Sequence, residues 1–409
     1  MIVDANSPYN NQVLDVLVVE DTISIIGEDL SSNDVQVIDL QGAVLTTGWA
    51  ELHSDLGEPG REEAETLKTG SAAAALGGFT SVGVVSGHAP HIQDKTGVEY
   101  LLRQSEELPV HLVPVGTASK DAQGNSLSEL YEMSTLGSTL FGDYKTALVN
   151  ANLMKLALLY TKPFGRILAH PANASLNGSG VMHEGATSTY IGLKGMPEIA
   201  EEVQIARDLA LAEYTGGALH IAGVSTLEGL SLLANAKAKG INVTASVAMH
   251  QLLFTDEIVS DYNSHYKVNP PLRTEAEQSA LIDALDDGTI DCLAVDHLPH
   301  DIEAKACEFD NAAFGMASFE GAVAHLMDRL PEASSEQWQQ WLSTTPRTLL
   351  GLEPLKIIEG MPAEFTVYNK DGQEWTGFAS KAYNNPFKGS TTTTRVVGTF
   401  CKGTWRSIH

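Results

Sequence analysis

The sequence is poor in cysteine and in basic residues. Three cysteines occur in 409 residues, and their odd number and spacing fit neither a disulfide framework nor a zinc ribbon. Reduced, mostly buried thiols are therefore expected, which predicts a cytoplasmic protein. Lysine and arginine number 25 against 52 acidic residues, giving a formal net charge of −27. Such a field repels nucleic acid and anionic membrane surfaces, so neither is expected as a partner.

Long apolar runs are also missing. No stretch approaches the length that spans a membrane, and the N-terminal MIVDANSPYNNQV has neither the basic nor the apolar region of a signal peptide. The excess acidic charge is interpreted as an aid to solubility or an adaptation to salt. Hydrophobic residues make up 43% of the chain and charged residues 19%, which is ordinary for a globular protein with a substantial core.

The pattern of the chain changes twice. Residues 13–45 read as short strands (VLDVLVVE, TISIIG, VQVIDL) with no helical period, and short strands return after residue 351 (AEFTVYN, EWTG, TRVVGTFCKGTW). Between them, helical stretches alternate with strand-like runs, as in PEIAEEVQIARDLALAEYTG followed by ALHIAGVS. Repeated units of this kind predict a parallel sheet with right-handed crossovers.

The number of repeats favours a closed α/β architecture. We predict a (β/α)₈ TIM-like barrel over residues 49–351. The terminal segments, residues 1–48 and 352–409, are predicted to pair into one small β-sandwich domain. An open doubly wound sheet is the alternative, and the lack of a G-x-G-x-x-G motif after the first strand disfavours it.

Histidine and aspartate recur where predicted strands end, which is where barrel enzymes place their active sites. They occur in ELHSD, LFGDY, RILAH and CLAVDHLPH. One such residue is more often structural than catalytic, but together they indicate a metal-dependent hydrolase. The metal would polarise a carbonyl and supply hydroxide near neutral pH, and Asp296 would move the proton.

These and other motifs give the chain a family resemblance over nearly its whole length. It resembles the dihydroorotases, which are cyclic-amide hydrolases of the amidohydrolase superfamily. The motifs that carry the resemblance are GWAELHSDLGEPG at 48–60, AAAALGGFTSV at 72–82, MHEGATSTYIGLKGMPEIAEE at 182–202, YKVNPPLR at 266–273, DGTIDCLAVDHLPH at 287–300 and NNPFKG at 384–389.

The resemblance implies a metal site that this chain keeps only in part. The family's His-x-His after the first strand becomes His53 and Asp55, and the later metal histidine in a stretch like LHICHVST becomes Gly223. A carboxylate can replace an imidazole as a ligand, so one divalent ion, zinc being the expected one, could remain while a two-metal site is not expected. The predicted metal ligands are His53, Asp55, Asp143, His170 and Asp296.

The residues that would bind the substrate are also only partly kept. The family's carboxylate-gripping arginine falls on Gly57, and its substrate-binding asparagine falls near Gly87. Asn269 and His300 match the retained substrate contacts. Loss of one charged partner of a buried pair costs about 2–5 kcal/mol, so several losses together disfavour normal dihydroorotate turnover.

Two functional hypotheses therefore stay open. In the first, the protein is non-catalytic or weakly active and supports aspartate transcarbamoylase, as inactive homologues of this family do. In the second, it is an active dihydroorotase or hydrolase of another small cyclic amide, using a single-metal site. Assembly into a homo-oligomer is expected in both cases.

Overall fold

The computed structural model describes residues 1–31 and 35–407. Its strands, in chain order, are β1 Ile2–Val3, β2 Asp15–Val19, β3 Thr22–Gly27, β4 Val44–Thr47, β5 Trp49–Asp55, β6 Phe79–Val85, β7 His111–Pro114, β8 Leu140–Phe141, β9 Arg166–Ala169, β10 Met182–His183, β11 Gly195–Met196, β12 Leu219–Ala222, β13 Val243–Ala248, β14 Cys292–Ala294, β15 Phe365–Asn369, β16 Gln373–Glu374, β17 Thr391–Thr392, β18 Arg395–Cys401 and β19 Thr404–Ser407.

Helices fill most of the connections between strands. The α-helices are α1 Leu67–Leu76, α2 Lys95–Ser105, α3 Leu130–Ser134, α4 Ala151–Thr161, α5 Ala174–Asn177, α6 Ala186–Ile191, α7 Ile199–Thr215, α8 Leu227–Ala238, α9 Met249–Leu253, α10 Glu275–Asp286, α11 Ile302–Lys305, α12 Ala322–Arg329, α13 Ser335–Gln339 and α14 Thr345–Leu349. Short 3₁₀ turns cover Lys120–Ala122, Asp256–Asp261 and Ser264–Tyr266, and a π-helical turn covers Gln340–Thr344.

Two all-parallel sheets form the centre of the molecule. One has the order β5-β6-β7 and the other β14-β13-β12-β9-β8. A parallel bridge between Gly116 and Phe141 joins them at one edge. At the other edge, the Asp55 amide donates to the His297 carbonyl at 3.0 Å. Every residue of β5 and β6 is buried, as in parallel strands covered on both faces.

Chain termini meet in a separate sheet. β1 and β4 from the N-terminal end join β15, β18 and β19 in a five-stranded sheet of order β1-β4-β15-β18-β19. Strands from both terminal segments therefore pair in one sheet. The predicted strand VQVIDL is wrong, because residues 35–40 form no strand, and Val35 and Val37 are exposed.

Local sequence signals explain several helix starts. The Asp94 carboxylate caps α2 by accepting from the Gly97 amide at 2.9 Å, and Thr226 caps α8 by accepting from the Gly229 amide at 3.1 Å. The buried Glu201 of α7 accepts from the Ser225 amide at 2.8 Å. This bond fixes the turn that follows β12, close to the carboxyl ends of the parallel strands.

None of the helices in the described part of the chain has both the length and the apolar character needed to cross a membrane.

Candidate active site

His53 and Asp55 both lie on β5, but their side chains have different partners. His53 Nδ1 lies 3.7 Å from Asp296 Oδ1. Asp55 instead accepts from the Gly57 amide at 2.7 Å and lies 3.3 Å from His88 Nδ1. The pairing of β5 with β6 shifts register between Glu51 and Ser54. A bulge of this kind interrupts the simple alternation that would place residues i and i+2 side by side.

Asp296 follows β14 and forms an ion pair with a lysine. Lys145 Nζ lies 2.6 Å from Asp296 Oδ2 and also donates to the Asn269 carbonyl at 2.8 Å. Burial would raise the pKa of Asp296, but the neighbouring Lys145 and His53 hold it below the usual 3.8. Asp296 has a left-handed backbone with φ of +54°, a conformation that aspartate tolerates better than most residues. The residue predicted to shuttle protons is thus ionised and bound to an ammonium group.

Tyr144 and Lys145 enter the site from the loop after β8. The Tyr144 ring packs edge-on against the His53 ring, with 6.4 Å between centroids. Its hydroxyl is buried without a hydrogen-bond partner among the described residues. Burial, reinforced by the charges of Asp296, Asp55 and Glu51, raises the pKa of Tyr144 well above 10. The phenol is therefore neutral.

Asp143 binds a neighbouring loop. Its carboxylate accepts from the Ser119 amide at 2.8 Å and from the Ser119 hydroxyl at 2.5 Å. Burial raises the pKa of Asp143 despite these bonds. Both carboxylate oxygens are used within this contact, so Asp143 fixes the conformation of the segment around Ser119.

Three buried imidazoles interact electrostatically with the Lys145–Asp296 pair. Burial, together with the charge of Lys145, lowers the pKa of His53 to about 4, of His170 to about 3 and of His250 to about 4, although the charge of Asp296 acts in the opposite direction. All three are neutral near pH 7. Both ring nitrogens of His53 and His250, and Nε2 of His170, have no hydrogen-bond partner within the described part of the chain.

Three glycines stand where the family resemblance places functional side chains. A Cβ at Gly57 would lie 2.6 Å from the Glu65 carbonyl oxygen, and a Cβ at Gly87 would lie 2.8 Å from Asp55 Oδ2. Gly57 also has φ of +75°. The present backbone therefore excludes arginine at 57, whereas asparagine at 87 would require the Asp55 side chain to move. Gly223 has more room, its nearest contact being Pro270 Cδ at 3.5 Å, but φ is +74°.

The predicted substrate contacts have other partners. The His300 amide donates to Asn384 Oδ1 at 2.9 Å, and His300 Nε2 lies 2.8 Å from the Phe314 carbonyl. Burial lowers the pKa of His300 to about 4, so the ring is a neutral donor to that carbonyl. The Asn269 backbone carbonyl accepts from Lys145.

Other histidines that sequence analysis could have assigned to the site lie in structural contacts. His220 contacts the Thr244 hydroxyl at 2.9 Å and the Ser246 hydroxyl at 3.0 Å. His297 Nδ1 accepts from the Ser318 amide at 3.0 Å. These side chains hold neighbouring segments together.

The side chains at the strand ends do not fit the predicted divalent ion. Asp55 and Asp143 bind loops, and Asp296 binds Lys145. Across residues 1–31 and 35–407, no three His, Cys, Asp or Glu side chains are grouped so that they could hold a metal ion. The set of five predicted metal ligands therefore stays a prediction, because the structure does not bring their side chains together around one point.

An open cleft borders the candidate site next to Asp55. A cleft of about 590 Å³ is lined by Asp55, His88, His91 and Tyr100, among others, and its lining does not include His53, His170 or Asp296. These three residues are each at most 4% exposed. The imidazole cluster is thus a buried part of the fold.

Sequence reasoning missed Lys145, Tyr144 and His250. His250 follows β13 directly, so the strand-end criterion that selected His170 could also have selected it. The signal for Lys145 is weaker, since it depends only on closeness in sequence to Asp143.

Comparison with known proteins agrees with the motifs. The sequence model of the Dihydro-orotase-like family matches residues 42–229. A dihydroorotase of Pelotomaculum thermopropionicum is 38% identical over 382 residues, covering 92% of this chain and 90% of the relative. A dihydroorotase of Streptomyces coelicolor is 38% identical over 407 residues, covering 95% and 94%.

Solved structures share the fold at lower identity. Dihydropyrimidinase from Brevibacillus agri superposes with a TM-score of 0.83 at 21% identity, covering 99% of this chain and 93% of that one. L-Hydantoinase from Arthrobacter aurescens gives a TM-score of 0.83 at 20% identity, covering 100% and 96%. These likenesses describe the α/β fold. The identity to the dihydroorotases over most of both chains shows that this chain belongs to the dihydroorotase family.

Proposed function

We propose that this member of the dihydroorotase family is non-catalytic or weakly active towards dihydroorotate and acts as a structural partner of aspartate transcarbamoylase. The observation that carries the proposal is the 2.6 Å ion pair between Lys145 and Asp296. A carboxylate held below its usual pKa by an adjacent ammonium is a poor general base, since proton transfer is most effective when the pKa lies near the working pH.

The substrate side supports the same proposal. Dihydroorotate carries a carboxylate, and the family's arginine for it is Gly57 here. Because a Cβ at Gly57 would meet backbone 2.6 Å away, that arginine is incompatible with the loop as it stands. Arg61, four residues on, donates to the Pro299 carbonyl at 2.8 Å. A scaffold that supports a partner enzyme needs only the packing residues and not these contacts.

We also propose that the eight parallel strands close into the (β/α)₈ barrel over residues 49–351, with residues 1–48 and 352–409 forming the flanking β-sandwich domain. The Gly116–Phe141 bridge and the Asp55–His297 hydrogen bond support closure, because they join the two parallel sheets at both edges.

The catalytic part is tested by assaying dihydroorotate ring opening with added zinc, using the Pelotomaculum thermopropionicum dihydroorotase as the reference. We expect kcat/KM to be at least about 10³-fold lower for this protein, the effect of losing roughly 4 kcal/mol of binding and catalysis. A value within tenfold of the reference would refute this part.

The partner is tested by co-expressing the tagged full chain with the aspartate transcarbamoylase of the same organism. Recovery of a stoichiometric complex by size-exclusion chromatography is the expected result. Separate elution of the two proteins at micromolar concentration would contradict the proposed partnership.

One observation favours an alternative, a hydrolase with a reduced metal site. His53 and His170 offer buried neutral nitrogens without partners among the described residues, and neutral imidazole is a good zinc ligand. This alternative predicts slow turnover of a cyclic amide that increases in proportion to bound zinc, whereas the main proposal predicts no dependence on zinc.

A further inference from the structure

Helix α7 has apolar residues on two opposite faces. One face is buried in the core. The other carries Ile199, Val203, Ala206, Ala210 and Tyr214, and all five are exposed. Residues spaced by three or four lie along one side of a helix, so these five form a stripe about 22 Å long. Because a surface helix normally has one apolar face and one polar face, the second apolar face indicates a further packing partner.

Helix α4 lies along one side of α7. Arg207, in the middle of α7, donates to the carbonyl of Val149, just before α4 begins, at 2.9 Å. Lys162, just after α4 ends, donates to the Thr215 carbonyl at the end of α7 at 3.3 Å. The two helices therefore run side by side in the same direction. The exposed apolar side chains that this flank adds are Val149, Leu156, Leu159 and Tyr160.

Helix α8 lies along the other side of α7. Glu201, near the start of α7, accepts from the Thr226 amide at the start of α8 at 3.0 Å. At the opposite ends of the helices, Lys239 Nζ lies 3.9 Å from Glu213 Oε2. The exposed apolar residues that this flank adds are Leu227, Ala234 and Ala238. The exposed sides of α4, α7 and α8, with the apolar residues named for each helix, are called the α7 face.

The α7 face is large enough to form the centre of an interface. Packed helices lie 8–10 Å apart, so three of them with a stripe of this length cover roughly 500 Å². Such an area is near the upper end of the apolar patches that monomers expose. It is also of the order of the ~800 Å² that each partner buries in a stable complex, once a polar rim is added.

The charges of these helices favour a second copy of the chain as the partner. Residues 151–162, 199–215 and 227–239 hold five acidic and five basic residues, whereas the whole chain holds 52 and 25. Two copies with a net charge of −27 each repel one another over most of their surface. Self-association is therefore least opposed at a surface that is apolar and balanced in charge.

The order of side-chain sizes along the stripe fits a two-fold axis perpendicular to α7. Ala206 and Ala210, near its centre, are small and let two helices approach closely. Larger side chains lie at the two ends, with Ile199 and Val203 at one and Tyr214 at the other. A two-fold contact packs a surface against itself, so Tyr214 of each copy would meet the opposite end of the other stripe.

We infer that two copies of this chain form a two-fold symmetric dimer through the α7 face, with the α7 helices crossing near Ala206 and Ala210. The inference goes beyond the proposed function and does not depend on it. Its main measurement uses neither dihydroorotate nor aspartate transcarbamoylase, so either proposal can fail while the other stands.

The experiment measures the mass of the full-length protein at micromolar concentration by size-exclusion chromatography with light scattering. We expect the wild type to have twice the 43.7 kDa mass of one chain. Ala210→Glu brings two carboxylates together across the axis and should raise the dimer dissociation constant at least ~100-fold, leaving a monomer. Glutamate is a good helix former and the position is exposed, so circular dichroism should show an unchanged fold.

A matched control uses the same substitution on another helix. Ala276 is an exposed alanine of α10, which packs against α8 but is not part of the α7 face. Ala276→Glu should leave the dimer intact.

A second variant tests the position of the axis. A residue beside a two-fold axis lies close to its own copy, so Ala206→Cys should form a disulfide-linked dimer on mild oxidation. Ala276→Cys and the wild type, whose Cys292 and Cys401 are buried, should not.

Three results would overturn the inference. A wild type that is monomeric at micromolar concentration would show that the chain does not pair with itself. Dimers of Ala210→Glu as stable as those of the wild type, with no cross-link in Ala206→Cys, would place the contact on another surface. A monomeric chain whose binding to aspartate transcarbamoylase is lost in Ala210→Glu would show that this enzyme, and not a second copy, covers the α7 face.

Discussion

Asp55 Oδ2 lies 3.3 Å from Nδ1 of His88, whereas His53, on the same strand, has its charged contact with Asp296. His88 Nε2 also lies 3.0 Å from the carbonyl oxygens of Gly57 and Pro59. Burial would raise the pKa of Asp55, but the bond and charge of His88 hold it below the usual 3.8. The imidazole therefore stabilises both the carboxylate and the loop that carries Gly57.

The first prediction concerns His88. His88→Ala leaves the Asp55 carboxylate, whose side chain is 2% exposed, without its main partner, and should lower the free energy of unfolding by about 2 kcal/mol. Urea denaturation monitored by circular dichroism measures the change. His91→Ala is the matched control, because His91 Nδ1 contacts a backbone carbonyl, that of Ser86 at 3.2 Å, and not a carboxylate. Equal effects of the two substitutions would contradict the role given to His88.

The second prediction compares two glycines with the same backbone conformation. Gly57 and Gly223 have φ of +75° and +74°, but a Cβ meets backbone at 2.6 Å only at Gly57. Gly223→Ala should cost about 1 kcal/mol from the left-handed backbone alone. Gly57→Ala should cost at least about 3 kcal/mol because the loop must also move. Urea denaturation of both variants tests the order, and similar losses would show that the loop yields easily.

The third prediction distinguishes a structural carboxylate from a metal ligand. Asp143→Ala removes two hydrogen bonds to Ser119 and should lower the free energy of unfolding by about 2–3 kcal/mol. Ser119→Ala should reproduce part of this loss. The zinc content of Asp143→Ala, purified from zinc-supplemented medium, should equal that of the wild type. A lower zinc content in Asp143→Ala than in the wild type would return Asp143 to the ligand set.

The fourth prediction is a pH dependence from a buried lysine at the end of α11. Lys305 Nζ donates to the Ser264 carbonyl at 2.7 Å. Burial, followed by the charge of Lys267, lowers the pKa of Lys305 from 10.5 to about 7. Between these two values the unfolded chain holds a proton on Lys305 that the folded chain has released. The free energy of unfolding therefore rises with pH across this window and loses this contribution as the pH falls through about 7.

Substitution of Lys305 by methionine should flatten that rise. The free energy of unfolding of wild type and Lys305→Met, measured by urea denaturation between about pH 7 and about pH 10, should diverge in favour of the wild type as the pH increases. Lys239→Met, at a side chain 63% exposed, should follow the wild-type slope. Parallel curves for wild type and Lys305→Met would contradict the assignment.

Much of the fold could be predicted from the sequence because its elements are long and strongly patterned. The predicted helix PEIAEEVQIARDLALAEYTG corresponds to Ile199–Thr215, and the predicted strand FTSVGVV to Phe79–Val85. The predicted strand VQVIDL failed because alternation of apolar residues indicates a strand only where one face is buried. In this segment the valines face solvent.

The sequence predicted which residues lie at the candidate site but not which partners their side chains contact. His53, His170 and Asp296 lie together because the carboxyl ends of parallel strands share one edge. The partners of Asp55 could not be predicted, because they depend on a bulge in β5 and on a loop from β6 that brings in His88. Lys145 was not predicted because a protonated lysine is not a metal ligand and was therefore not considered. Its contact with Asp296 also joins residues that are 151 positions apart in the sequence.

The most direct test of the account is a crystal structure of the wild-type protein grown with zinc, with anomalous data collected at the zinc absorption edge. The account predicts no anomalous peak among His53, His170 and Asp296, and a Lys145 ammonium in hydrogen-bond contact with Asp296. A strong peak at that position, with the Lys145 side chain displaced from Asp296, would contradict it.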